Sequence, residues 1–134
     1  MTDKPMSSSL KWRVIRDGPR TGSHNMALDH ALAVCSQESR GVLRLYSWMK
    51  ATVSLGRNEL ARGLYDRASA VEQKIEFVRR PTGGRAVLHS NEVTYAIVVP
   101  VRALGGPRAS YIEINRGLAE GLSSIGAAVT VTDH

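Results

Sequence analysis

The chain has 134 residues, enough for one domain with a real core, and an apolar fraction of 43% excludes a disordered polymer. Net charge is +6 and the pI is near 10, with arginine far ahead of lysine. That balance fits either a solvated basic surface or an anionic partner: a nucleotide, an acyl carrier or an acidic protein domain.

Cys35 is the only cysteine, which excludes an internal disulfide and a cysteine-cluster metal site and fits a reducing cytoplasm. No stretch approaches the roughly 18 apolar residues of a membrane span. Nucleic acid is weakly supported: no basic run of five or more, aromatic-interleaved basic strip, zinc-finger or RNP-like signature occurs. Met1 to Leu10 is polar without an apolar h-region, so residues 1–10 read as a loose tail and 11–134 as the folded part.

Trp12–Ile15 reads as a strand, broken by Asp17-Gly18-Pro19-Arg20-Thr21-Gly22. Ser23 to about Gln37 reads as a helix capped by Ser23 or Asn25, with Leu28, Ala31, Leu32 and Cys35 on one apolar face; Cys35 then reads as an inert core thiol. Asp29 reads as a solvated or capping charge. Val42–Trp48 alternates as a strand with Val42, Arg44, Tyr46 and Trp48 on one side, and Ala51–Arg57 forms a second strand ending at Gly56. Tyr46 and Trp48 are either the wall of a pocket or ordinary core.

Leu60 to about Lys74 reads as a helix with Leu64, Ala68 and Val71 on one side. Ile75–Arg80 is a strand, and Ala86–His89 and Glu92–Pro100 form two more, joined by a Ser90-Asn91 turn as a hairpin. Ser110 to about Ile125 reads as a helix with a Ser110/Glu113 capping box, and Ala128–Thr132 begins a last strand. Two hairpin-like pairs predict a mixed, largely antiparallel β-sheet flanked by helices, an α+β fold rather than a βαβ repeat. A strand that opens just before the last residue suggests a truncated domain, completed downstream or by a second chain.

The stretch Arg79-Arg80-Pro81-Thr82-Gly83-Gly84-Arg85-Ala86-Val87-Leu88-His89 carries the chemistry. The two glycines permit positive φ and close backbone approach, and Arg80 and Arg85 can lay guanidinium forks on a carboxylate or phosphate. The alternative is a turn with solvated arginines. The spacing fits neither a P-loop nor a dinucleotide fingerprint. His89 is a core histidine, a substrate contact or an acid/base, with Asp29 or Glu92 as partner where the fold brings them near. No metal-ligand spacing is present.

These residues, with Glu92-Val93-Thr94-Tyr95 after them and Asn25–Asp29, Leu43–Trp48 and Thr52–Arg57 before them, resemble the lipoate–protein ligase and octanoyltransferase family. The resemblance covers most of Trp12 to Ile125. It implies a biotin/lipoate protein ligase-like fold and octanoyl transfer from acyl carrier protein to a lysine of a lipoyl domain, without a cofactor. The alternatives are ATP-dependent lipoate ligation through a lipoyl-adenylate, with ATP and Mg, and a non-catalytic acyl-binding subunit completed by a second chain. Implied partners are lipoyl domains of 2-oxoacid dehydrogenases or the glycine cleavage H protein. The wording Thr82–His89 resembles the cysteine-dependent octanoyltransferase branch more than the ligases.

The implied substrate-binding set is Tyr46, Trp48, Arg57, Arg80, Thr82, Gly83, Gly84, Arg85, Ala86, Val87 and His89. The family's catalytic lysine and nucleophilic cysteine are expected beyond residue 134, so no catalytic residue is assigned and Cys35 is not promoted to one. His30 and Ser90 depart from the family pattern, where acidic residues are common.

Overall fold

The computed structural model describes residues 10–132. Apart from Leu10, the tail expected at the N-terminus lies outside them. In chain order the elements are β1 (Lys11–Arg20), α1 (Gly22–Val34), β2 (Arg40–Trp48), β3 (Thr52–Leu55), α2 (Arg67–Glu72), β4 (Glu76–Arg79), β5 (Val87–His89), β6 (Thr94–Val98) and α3 (Pro107–Ser124).

The strands form two three-stranded sheets, ordered β1-β2-β6 and β4-β3-β5. Each contains one parallel and one antiparallel ladder: β1 and β6 flank β2, and β4 and β5 flank β3. The α+β class with mixed strand directions is as expected, but neither expected hairpin forms. β2 and β3 lie in different sheets, as do β5 and β6. Instead β1-α1-β2 and β3-α2-β4 are βαβ units, because parallel neighbours need a helix-length crossover. The short links Met49-Lys50-Ala51 and Ser90–Val93 carry the chain between sheets, the second through Asn91 at φ +44°.

β1 runs through the expected break to Arg20. Its pairing with β2 shifts register between Arg16 and Pro19, and the irregularity absorbs Asp17 and Gly18. β1 is an edge strand, where a proline lacking N–H is tolerated. α1 is capped by Thr21, whose side chain accepts from the His24 N–H, rather than by Ser23 or Asn25. Its buried face carries Gly22, Asn25 and Met26, so the apolar stripe expected at Ala31 and Cys35 is turned outward and Cys35 is exposed.

The expected Leu60–Lys74 helix shrinks to six residues. Gly63 sits at φ +76°, and Asp66 caps α2 by accepting from the N–H groups of Ala68 and Ser69. α3 starts at Pro107 behind Gly106, so Ser110 lies inside the helix and its N–H bonds back to Gly106; no side chain caps the helix. Residues 127–132 are not a strand, since they meet no ladder partner among the described residues.

The core is small. Met26, Tyr46 and Trp48 pack together, with Val78 and Ala96 against them. The start of α1 wedges onto the second sheet: a Cβ on Gly22 would stand 2.6 Å from Thr52 Cγ2 and 2.9 Å from Val78 Cγ1. One helix therefore holds both sheets in place, and the site lies where they meet.

Candidate functional site

Gly56, at the end of β3, meets the diglycine loop backbone to backbone. A Cβ built on Gly56 falls 1.8 Å from the Gly84 carbonyl oxygen, so only glycine fits. The Arg57 N–H donates to the Thr82 carbonyl at 2.8 Å. Of the two loop glycines only Gly84 takes a positive φ, +95°; Gly83 is open on its Cβ side.

The loop is braced from within by Arg80. Its Nε and Nη2 donate to the Gly83 carbonyl at 3.2 and 2.8 Å, Nη2 also to the Arg85 carbonyl at 2.7 Å, and Nη1 to the Ser54 carbonyl and Oγ at 2.8 and 3.2 Å. An arginine has five N–H donors, and all are spent on the protein. Arg80 is thus a strut rather than the anion fork expected from sequence. Arg79 ties the preceding turn through Nη1 to the carbonyls of Gly56 and Glu59 at 2.6 and 2.9 Å. Arg85 is exposed and makes no side-chain hydrogen bond or ion pair among the described residues, which leaves it to meet an anion.

A directed chain of hydrogen bonds runs from Arg80 to the aromatic wall. His89 Nδ1 faces the Glu92 carboxylate, which only accepts, so Nδ1 carries the proton and donates to Glu92 Oε1 at 2.7 Å. In that neutral tautomer Nε2 accepts from the Ser54 hydroxyl at 2.7 Å, and Ser54 Oγ accepts in turn from Arg80. From the other end Trp48 Nε1 donates to Thr94 Oγ1, which donates to Glu92 Oε1, each at 2.7 Å. Burial pushes the Glu92 carboxyl up, but the bonds from His89 and Thr94 outweigh it and hold the group below its usual range. Ser54, His89 and Glu92 align as hydroxyl, imidazole and carboxylate. Ser54 is only 1% exposed and holds Arg80 as well, so the alignment organises the loop rather than offering a nucleophile.

The His89 ring stacks on Trp48 at 4.2 Å between centroids and 11° between planes, and Trp48 meets Tyr46 at 5.7 Å. These rings floor an open cleft of about 780 Å³, mostly apolar, bounded by Met26 and Ala33 of α1, Val87, strand β6 and the inner side of α3. Of the expected set, Tyr46, Trp48, Arg80, Thr82, Val87 and His89 line it. Arg57 borders an adjoining hollow with His30, Ala33, Val34 and Pro81. Gly83, Gly84, Arg85 and Ala86 form the outer part of the loop and are not in the lining; neither is Cys35.

Behind the floor lies a cluster that sequence reasoning missed. The fully buried Arg44 donates to Asp29 Oδ1 at 2.7 Å, Asp17 Oδ2 at 2.9 Å and Asn25 Oδ1 at 2.7 Å. Its guanidinium carbon is 4.0 Å from the Tyr46 ring centroid. The Tyr46 hydroxyl donates to Asp29 Oδ2 at 2.8 Å, and burial, then the Asp29 charge, push the phenol above its usual range. Hydrogen bonding to Arg44 outweighs burial and holds Asp17 low. Asp29 is thus an internal anchor, not a solvated charge. The available signals were the shared face of Arg44, Tyr46 and Trp48 on β2 and the i,i+4 spacing of Asn25 and Asp29 on α1.

Residues 21–134 match the family model described as the lipoyl protein ligase A/B catalytic domain. The chain belongs to that family. As a lipoyl protein ligase A/B domain it is 41% identical over 120 residues to octanoyltransferase LipM of Carboxydothermus hydrogenoformans, covering 86% of this chain and 45% of the relative. The chain thus spans about half the length of the curated relatives it matches. Among solved structures it superposes with a TM-score of 0.77 on the bi-partite lipoate protein ligase of Thermoplasma acidophilum, at 19% identity, covering 92% of this chain and 49% of that one. Lipoate-protein ligase A bound with ATP gives 0.77 at 21% identity, covering 92% and 52%. At these identities the structural matches establish the lipoyl-ligase fold. No helix among the described residues is long and apolar enough to cross a membrane.

Proposed function

We propose that this chain is the acyl-cradling part of an octanoyltransferase of lipoate metabolism, moving octanoate from acyl carrier protein toward a lysine of a lipoyl domain. The observation that carries the reading is the apolar cleft, floored by Trp48 and Tyr46 and continuous with a braced loop whose Arg85 is unpaired. An eight-carbon chain laid on those rings gains about 5 kcal/mol at about 0.8 kcal/mol per buried CH₂. Arg85 meets the phosphate of the donor's pantetheine arm, while His89, its ring nitrogens held by Ser54 and Glu92, keeps the Trp48 wall of the acyl slot in place. Arg80 sets the loop that frames them. Octanoyl transfer needs no cofactor, and the 41% identity to a LipM octanoyltransferase supports this reading over ATP-dependent ligation. The attacking group is not assigned to any residue of this chain. Lipoyl domains of 2-oxoacid dehydrogenases or the glycine cleavage H protein are the proposed acceptors.

The test is calorimetric titration with octanoyl-4′-phosphopantetheine, alongside lipoate with Mg-ATP. Wild-type protein binds the thioester and releases no pyrophosphate, while Arg85→Ala binds at least about tenfold more weakly with an unchanged melting temperature. Normal binding by Arg85→Ala removes the anion-site assignment; pyrophosphate release moves the reading to the ligase.

A further inference from the structure

We infer that the segment from Arg57 to Arg67, beside the cleft, is the docking surface for the acidic protein that delivers the acyl chain. The inference rests on the octanoyl-transfer reading and adds to it where the donor protein sits. The segment sorts its charges. Its acids are engaged internally: Glu59 accepts from the Gly56 N–H at 3.0 Å and the Tyr65 hydroxyl at 2.9 Å, and Asp66 caps α2 and binds the Ser69 hydroxyl at 2.6 Å. Its arginines Arg57, Arg62 and Arg67 make no side-chain hydrogen bond or ion pair among the described residues.

Leu60 and Leu64 stand 81% and 66% exposed between those cations. Arg62 and Arg67, with Arg79, also edge a hollow of about 490 Å³ that has an aromatic side at Tyr65 and Phe77 and no carboxylate in its lining. Unpaired arginines interleaved with exposed leucines match an acidic protein surface carrying apolar side chains. A small anion calls for convergent donors and has no use for the leucines.

Placement favours the donor. The segment leaves β3 at Gly56, against Gly84, and Arg57 is bonded through its backbone to Thr82, which lines the cleft. Arg79 fixes the start of the segment through the Gly56 and Glu59 carbonyls. A carrier seated there brings its flexible arm toward Thr82 on the cleft lining, and the chain's positive net charge speeds the encounter.

The test uses acyl carrier protein bearing its pantetheine arm but no acyl group, titrated at low and high salt against wild type and the double charge reversal Arg62→Glu/Arg67→Glu. Octanoyl-4′-phosphopantetheine serves as a protein-free probe of the cleft. Expected is salt-sensitive carrier binding that weakens about tenfold or more in the reversal, with thioester binding and melting temperature unchanged. A Leu60→Ser variant weakens carrier binding without changing the salt slope. Equal carrier affinity in wild type and the reversal overturns the docking surface, as does thioester binding without any carrier binding. Carrier binding without thioester binding leaves the surface standing and sinks the octanoyl cleft. A lipoyl domain that binds and is released by the same reversal, while the carrier is ignored, overturns the assignment to the donor.

Discussion

Replacing Gly56 with alanine tests the argument that the diglycine loop is held by backbone contact. The added Cβ lands 1.8 Å from the Gly84 oxygen, whereas Cβ atoms essentially never approach another atom closer than 3.0 Å, so about 1.2 Å of separation has to be found. Neither side yields cheaply. Gly56 is tied by its own N–H to Glu59 and by its carbonyl to Arg79, and Gly84 sits in a loop pinned by Arg80. Overpacking costs about 1–3 kcal/mol, and opening the Arg57–Thr82 hydrogen bond adds about 1 kcal/mol. With a urea slope of about 2 kcal/mol/M, a loss of about 3 kcal/mol lowers the unfolding midpoint by about 1.5 M. Gly83→Ala is the control, since nothing lies within 4 Å of a Cβ there and φ is not positive; it stays within about 0.5 kcal/mol of wild type. Equal midpoints for Gly56→Ala and wild type, or equal losses for both variants, would refute the backbone-contact argument.

Two further outcomes follow from the same geometry. Arg80→Lys keeps the charge but loses the planar fork, so it destabilises by about 2 kcal/mol in urea and weakens thioester binding with it; weakened binding at full stability returns Arg80 to the role of anion fork. Glu92 is held below its ordinary value near 4.5, so its stabilisation is fully present above that pH and is lost as pH falls through the lowered folded value. Urea midpoints measured from neutral pH down to about pH 3 therefore decline less steeply in Glu92→Gln than in wild type; parallel declines count against the His89–Glu92–Thr94 hydrogen bonds as the cause.

The family was legible because it rests on local, composition-specific signals, and the fold class came with it. A diglycine flanked by arginines admits few conformations, and alternation on β2 correctly placed Arg44, Tyr46 and Trp48 on one buried side. What failed was partner choice. Short strands joined by three- and four-residue links look like hairpins, and nothing in Met49–Ala51 or Ser90–Val93 announces that the chain changes sheets there. The α1 face was misread because Asn25 and Asp29 point inward as ligands of Arg44, against the rule that polar residues face water. Arg80 misled for a related reason: an arginine beside a glycine loop has the same spelling whether its fork points at a ligand or at the loop's own carbonyls.

The two sheet-crossing links also govern how the chain reaches its fold. Among the described residues no ladder joins strands through a tight turn; Thr52 pairs with Glu76, Lys11 with Arg40, and Leu43 waits for Ile97. Every sheet contact closes a loop of 24 residues or more before it returns any energy. High contact order of this kind makes folding slow and leaves strand edges open in the meantime. α1, which forms locally and touches both sheets, is the natural nucleus. Refolding rates respond most to substitutions at its buried residues Gly22 and Met26, and unfolding rates to substitutions in α3.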